Sequence, residues 1–341
     1  MRFGPVPLSE AEGAVLAHSL PLPGGRLRKG KRLEAGDIAA LRAAGYAQVT
    51  VARLEPMDID EDTAALQLAQ ALVPDPEAAG LVLQPVGTGR VNILARGPGL
   101  ARVDAARVDA VNATDPGITL ATLAPFARME PGTMLATVKI ITYALPGPIL
   151  ARACARGLGA LSLAAPVLKT ASLIQTRIGE APPPAKGERA IAARLQRLGM
   201  ALDQSRTVPH EEAALEAALR EAGGELLLIL TGSATSDPHD VAPQALRRAG
   251  GSMAHFGMPV DPGNLLFIGK LGARPVIGLP GCARSPALNG ADWVMERVIC
   301  GLPVGPETIM RMGVGGLLKE SPSRPRSRLA SALPDRTGPD N

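Results

Sequence analysis

The sequence predicts an α/β protein with a mostly parallel sheet in its second half, preceded by a smaller, β-rich α+β region. Three observations carry this. From about residue 150, apolar strand-like segments alternate with amphipathic helical ones: PVLKTASLIQT, GERAIAARLQRLGM, ALDQSRTV, EEAALEAALREAGG and ELLLIL. Strands separated by helices of roughly 10–15 residues are the signature of βαβ units. After its leading glutamate, ELLLIL is wholly apolar. In contrast, residues 80–145 hold short strand-like runs (GLVLQPV, GRVNILAR, ITLATLAP, MLATVKIITYAL) punctuated by GPG, DPG and EPG turns.

Taken in order, residues 1–73 form a small α+β unit. RLRKGKR reads as a basic hairpin, a helix runs over about 35–44 to the stop at Gly45, and a strand follows from Gln48 to Leu54. The five positive charges of residues 26–32 suit a solvated turn or a phosphate site, and DIDED at 58–62 leads into a helix at 63–72. Residues 80–149 form the β-rich domain, in which RVDAARVDAVNATDP reads as helix or strand, and PGPI marks its end. The α/β domain spans 150–305. It closes with a hairpin about Gly272 and a helix, SPALNGADWVMERVICG, whose expected N-cap is Ser285 and whose stop is Gly301. The segment 317–341, rich in Pro, Ser and Arg, reads as a disordered tail.

Composition narrows the function. At 341 residues, 46% hydrophobic and 20% charged, the chain is long enough for two or three cored domains. Aromatic residues are 2% of it, with Trp293 the one tryptophan, which argues against a base-stacking platform. The net charge of +4 is spread along the chain, so no nucleic-acid footprint is expected. Cys154, Cys282 and Cys300 lack metal-ligand spacing and suggest free thiols in a reducing cytoplasm. No signal peptide is read at the N-terminus, and no apolar run reaches the roughly 20 residues of a membrane helix.

Four loops of small residues then draw attention: the end of the strand at Thr176, LTGSATSDPHDVAP from residue 230, PVDPGN at 259–264 and GLPGCARS at 278–285. In an open parallel sheet, ligands lie beyond the carboxyl ends of the strands, and loops entering helices offer amides to an anion. Asp240 reads as a helix N-cap or as a metal or proton-transfer carboxylate, and Asp237 as its helper or as an Asx turn. His239 reads as a solvent-facing loop residue and His210 as a residue near a helix cap. Cys282 fills a tight turn or is a thiol activated by nearby amides.

TGSATSDPHDVAPQAL resembles the signature of the molybdopterin-binding (MoCF) family, with Thr231, Gly232, Asp240, Val241, Pro243 and Ala245 at matching positions. GLPG at 278–281 with Ser285, Pro262-Gly263 and Thr176 match its other turns, so the resemblance spans roughly 165–305. It is nearest to a bacterial subgroup often fused to a cytidylyltransferase-like domain, for which this chain leaves no room after the α/β domain. The resemblance implies a three-layer α/β/α fold and a cytoplasmic, oligomeric protein of molybdenum cofactor biosynthesis. It implies molybdopterin held by Thr176, Thr231, Gly232, Ser233, Ala234, Pro262, Gly263, Gly281 and Ser285. Asp240, helped by Asp237, would then act catalytically, with Asp240 holding Mg²⁺ or the molybdate being inserted, in a transferase with ATP or CTP as a candidate co-substrate. The alternative is a carrier that passes the molybdenum-charged pterin to a cytidylyltransferase or a molybdoenzyme. Ser233, His239, Asn264 and Cys282-Ala283 depart from the family pattern. The missing lysine and arginine weigh against adenylylation more than against pterin binding.

Overall fold

The computed structural model describes residues 1–181 and 183–320. The tail expected over 317–341 therefore lies almost entirely outside the described residues. The chain divides into two compact units, Met1–Ala165 and Pro166–Asn341.

The first unit has two hydrophobic cores. One gathers Leu8, Leu16, Leu33, Leu41 and Val51 beneath an antiparallel sheet in which Gln48–Arg53 lies between Arg2–Pro7 and Val15–Leu16. The expected helix runs over Ala35–Ala43, and Gly45 follows it with a positive φ. A hairpin joins Leu20–Leu22 to Gly25–Leu27, with its turn ahead of the basic stretch 26–32 in which the sequence places it. The second core packs the helix Glu61–Leu72 against a four-stranded antiparallel sheet, Ile118–Thr122, Met134–Ile140, Arg90–Ala95 and Leu81–Gly87. That helix presents Ala64, Ala65, Leu68, Ala69 and Leu72 to the core, a stripe at helical spacing. The sequence reading grouped it with residues 1–73, yet this apolar stripe joins it to the β-rich part. The ambiguous RVDAARVDAVN stretch resolves into a strand ending at Val103 and the helix Ala105–Asn112, capped by Asp104. PGPI opens the helix Gly147–Gly157, whose Leu150 and Ala153 belong to the same second core, so the first unit runs on to residue 165.

The second unit is the expected α/β domain. Its elements are β1 (Thr170–Arg177), α1 (Ala185–Gln196), β2 (Ala201–Pro209), α2 (Glu212–Glu221), β3 (Leu226–Leu230), α3 (Val241–Arg248), β4 (Ser252–Phe256), β5 (Phe267–Leu271), β6 (Arg274–Leu279), α4 (Gly290–Ile299) and α5 (Pro306–Met310). One six-stranded sheet results, in the order β2-β1-β3-β6-β5-β4. β2, β1, β3 and β6 run parallel, while β5 and β4 close the edge antiparallel. On one face, Ile174, Leu227, Ile229, Phe267 and Val276 pack with Leu215 and Leu219 of α2 and Leu246 of α3. The intervening residues Leu173, Leu228 and Ile277 point the other way and are equally buried, as are Ile191 and Leu195 of α1 and Val294 of α4. Both faces are covered, giving three layers. β4 went unread in the sequence, because SMAHF is short and carries a polar residue at every apolar break.

Candidate functional site

The order of the strands decides where a ligand can sit. From β1 the chain crosses to β2 at the sheet edge and then returns to the other side of β1 as β3. The two connections diverge between β1 and β3, and such a switch point opens a crevice at the carboxyl ends of the strands. Thr176, near the end of β1, and Thr231-Gly232, just past β3, meet there. The Gly232 N–H donates to Thr176 Oγ1 at 2.8 Å, and His210 Nδ1 lies 2.8 Å from the same oxygen. With Oγ1 accepting from Gly232, the Thr176 hydroxyl proton is free to point at Nδ1. Glycine is required at 232 because a Cβ there would stand 2.8 Å from the Thr176 carbonyl oxygen. Thr231 is buried and pairs with Thr235, Oγ1 to Oγ1 at 3.4 Å, whereas Ser233 and Ala234 are exposed.

His210 therefore braces the floor of the crevice, a role its position near a helix cap did not reveal. His210→Ala is expected to lower stability by about 1 kcal/mol, the worth of one hydrogen bond to a buried hydroxyl. Faster amide exchange at Gly232 should accompany it. Unchanged exchange there would show that the Thr176–His210 contact holds nothing.

The aspartates of the loop organise backbone. Asp240 is the N-cap of α3, its Oδ1 accepting the Val241 N–H at 2.7 Å and its Oδ2 the Ser236 N–H at 3.1 Å. Asp237 Oδ1 accepts the His239 N–H at 2.7 Å, an Asx turn. His239 is exposed. Among the described residues, no three or more His, Cys, Asp or Glu side chains gather in a group able to hold a metal.

The turn after β6 is a short 3₁₀ segment, Gly281–Arg284, and the helix expected from Ser285 begins later. Asn289 is its cap: the Asn289 side chain accepts the Ala291 N–H at 3.0 Å, and Asp292 Oδ2 accepts the Asn289 N–H at 2.8 Å. This reciprocal box outcompetes Ser285, whose Oγ accepts only from Ala287 at 3.3 Å. Holding the turn from below is Arg194 of α1. Its Nε donates to Asp292 Oδ1 at 2.6 Å, and its terminal nitrogens donate to the carbonyls of Ala283 (2.9 Å), Ser285 (2.7 Å) and Ala287 (3.1 Å). Arg284, from the turn itself, donates to the Thr231 carbonyl and so ties the β6 loop to the β3 loop.

Two pockets flank this turn. The first, about 660 Å³, lies between the turn and the start of α1 and is lined by Lys186, Arg189 and Arg284 beside Gly281, Cys282 and Ser285. Among the described residues, three cations line it and no carboxylate does. Burial pushes the Arg284 guanidinium below its ordinary range, but arginine stays charged at neutral pH. Lys186, Arg189, Ala190 and Ala193 all line it from α1, a spacing that puts them on one helix face. The sequence predicts an amphipathic helix here without singling out the basic pair. Its legible signal was a lysine and an arginine three residues apart in the first turns of the helix that follows the Thr176 strand.

The second pocket, about 420 Å³, lies on the other side of the turn, against Pro262, Gly263 and Asn264. Gly281, Cys282 and Ser285 face both pockets. Of the residues read as a site, the structure thus brings Pro262, Gly263, Gly281 and Ser285 to one pocket and joins Thr176 to Gly232 by a hydrogen bond, while Thr231 pairs with Thr235 and accepts from Arg284. Ser233, Ala234, Asp237 and Asp240 line neither pocket.

Residues 186–298, which hold the Thr231-Gly232 side of this crevice, the described lining of the first pocket and part of the second, match the family model described as "Probable molybdopterin binding domain". This stretch of the second unit is similar to the molybdopterin-binding family. Residues 5–53 match a second model, "Domain of unknown function (DUF8806)", whose span coincides with the first hydrophobic core. No curated protein matches the chain. Among solved structures, the chain is similar to the molybdopterin biosynthesis protein MoeA of Pyrococcus horikoshii, at 15% identity and a TM-score of 0.28, over 89% of this chain and 74% of that one. It is also similar to the molybdopterin biosynthesis enzyme MoaB of Thermus thermophilus, at 19% identity and a TM-score of 0.27, over 45% of this chain and 100% of that one. None of the described helices is long and apolar enough to cross a membrane.

Proposed function

We propose that the second unit binds molybdopterin by its phosphate in the first pocket, as a protein of molybdenum cofactor biosynthesis. The observation that carries this is the lining of that pocket: Lys186, Arg189 and Arg284 beside a glycine turn, with no carboxylate among its described residues, next to the switch point of the sheet. Lysine and arginine supply several N–H donors to phosphate oxygens, and their unopposed charge raises the local concentration of an anionic ligand. Thr176, Thr231 and Gly232 shape the adjoining crevice. Gly281 and Ser285 stand between the two pockets, where both faces of a bound ligand are within reach of the turn.

The donor set does not fit Mg²⁺ as a site made by protein alone. Both carboxylate oxygens of Asp240 already accept main-chain N–H groups, and no third ligating side chain among the described residues joins Asp240 and Asp237. A Mg²⁺ ion at Asp240 would take most of its ligands from phosphate and water. This capping role of Asp240 also favours the second reading, a carrier that holds the charged pterin and hands it to a separate transferase or molybdoenzyme. Incubation with molybdopterin, Mg²⁺ and ATP or CTP separates the two: a nucleotide-pterin product or inserted molybdate marks an enzyme, and binding without turnover a carrier.

Lys186→Ala/Arg189→Ala is the direct test of binding. Loss of two charge-assisted contacts should weaken molybdopterin binding by roughly 100-fold at low salt. Affinity should also fall with ionic strength less steeply than in the wild type. Molybdopterin affinity unchanged by both substitutions would remove the phosphate from this pocket.

A further inference from the structure

The second pocket has a wall that comes from outside the segment matching the molybdopterin-binding family. After α5, residues 313–318 turn back along the 259–262 stretch and fasten to Asp261. The Asp261 N–H donates to the Gly316 carbonyl at 2.8 Å, the Leu318 N–H donates to the Asp261 carbonyl at 2.8 Å, and Asp261 and Leu317 form a parallel bridge. Leu318 of the strap is buried, as are Ile309 and Met312 just before it. Gly316 permits the approach, since a Cβ there would lie 2.6 Å from the Pro259 carbonyl oxygen and 2.7 Å from that of Met312. The strap ends by placing Lys319 on the pocket, with Nζ 2.8 Å from Asp261 Oδ2. Among the described residues, Lys319 is the one cation lining this pocket and Asp261 the one carboxylate.

We propose that Lys319 is a ligand-binding residue, and that the second pocket is a phosphate-type anion subsite completed by the strap. Three features of the pair support it. An ammonium has three donors, and its contact with Asp261 uses one. The pair is half open to solvent, at 56% and 37% side-chain exposure, where a lysine–carboxylate contact is weak and an arriving oxyanion readily competes for the lysine. Fixing the strap through both main-chain groups of Asp261 also holds Lys319 near the pocket before any ligand arrives, which lowers the entropy lost on binding. Asp261 then acts against the anion, so the two members of the pair have opposite effects on affinity.

The inference rests on the reading that these pockets take a phosphate-bearing ligand, and the probe is chosen to separate the two. Inorganic pyrophosphate is titrated by calorimetry into the full chain carrying Lys186→Ala/Arg189→Ala, so that the first pocket does not mask the second. Adding Lys319→Ala should weaken pyrophosphate binding by roughly tenfold. Adding Asp261→Asn should strengthen it several-fold, and Gly316→Val, which lifts the strap with Lys319 intact, should reproduce the loss. Equal or absent effects of Lys319→Ala and Asp261→Asn, an affinity raised by Lys319→Ala, or no pyrophosphate binding in this background would overturn the proposal. Failure of molybdopterin to bind the wild type, with the pyrophosphate pattern intact, would overturn the pterin reading alone.

Discussion

Arg194→Ala is expected to lower the stability of the second unit by about 3–5 kcal/mol, because it strands a buried charge. Arg194 and Asp292 pair at 2.6 Å with side chains only 3% exposed each. Without the guanidinium, the Asp292 carboxylate stays buried without its partner, and the carbonyls of Ala283, Ser285 and Ala287 lose their donor together. Urea unfolding should show the loss as a lower midpoint with an unchanged slope. Ligand binding should fail as well, since these carbonyls belong to the turn that divides the two pockets. A paired replacement separates the two consequences. Arg194→Met with Asp292→Leu removes both charges, and replacing a buried pair by apolar residues is often neutral. Part of the stability should return, while the turn remains without its donors and ligand affinity stays low. A change below about 1 kcal/mol in Arg194→Ala would mean that water reaches Asp292 and the pair is not the anchor of the turn.

Arg194 also marks the limit of what the sequence shows. In GERAIAARLQRLGM it is one of several arginines on an amphipathic helix, and nothing local distinguishes it from Arg189 or Arg197. Its partner lies 98 positions away. The sheet was legible because apolar runs such as ELLLIL and the helices between them are local patterns, and burial on both faces demands such runs. The capping choice at Asp240 was legible for the same reason, since an N-cap acts within its own turn. Ser285 misled because Ser-Pro is a good local start signal, and the stronger Asn289–Asp292 box lies just beyond it. Thr176 and Gly232 were each legible as residues ending strands. Their hydrogen bond spans 56 positions and follows only from the strand order. The cations of the first pocket lay in plain view as residues, but which helix face meets the Gly281 turn is a matter of tertiary packing. The family resemblance located loops; it did not supply the charge on which the proposed site rests.

Gly263→Ala tests that distinction at a glycine whose backbone and surroundings both exclude a side chain. Its φ of +148° lies where residues with a Cβ are strained. An added Cβ would stand 2.9 Å from both Cα and N of Gly290 and 3.1 Å from the Val260 carbonyl oxygen, all of them backbone atoms that no rotamer change can move. Gly290 is itself tightly packed: a Cβ on it would lie 2.5 Å from Met258 Sδ and 3.0 Å from Val260 Cβ. The contact being forced apart is the hydrogen bond from the Gly290 N–H to the Pro262 carbonyl at 2.8 Å, which seats the 259–264 turn on the first residue of α4. Strain and overpacking together should cost about 2–4 kcal/mol. The larger consequence is positional: when Pro262 leaves Gly290, Asn264 and the strap fastened to Asp261 move with it, and the second pocket loses a wall. Pyrophosphate binding there should fall as far as in Lys319→Ala, while the first pocket, whose lining shares no residue with this turn, keeps its affinity. Equal loss at both pockets would show that the Gly281 turn moves as well, and that the two pockets are one site.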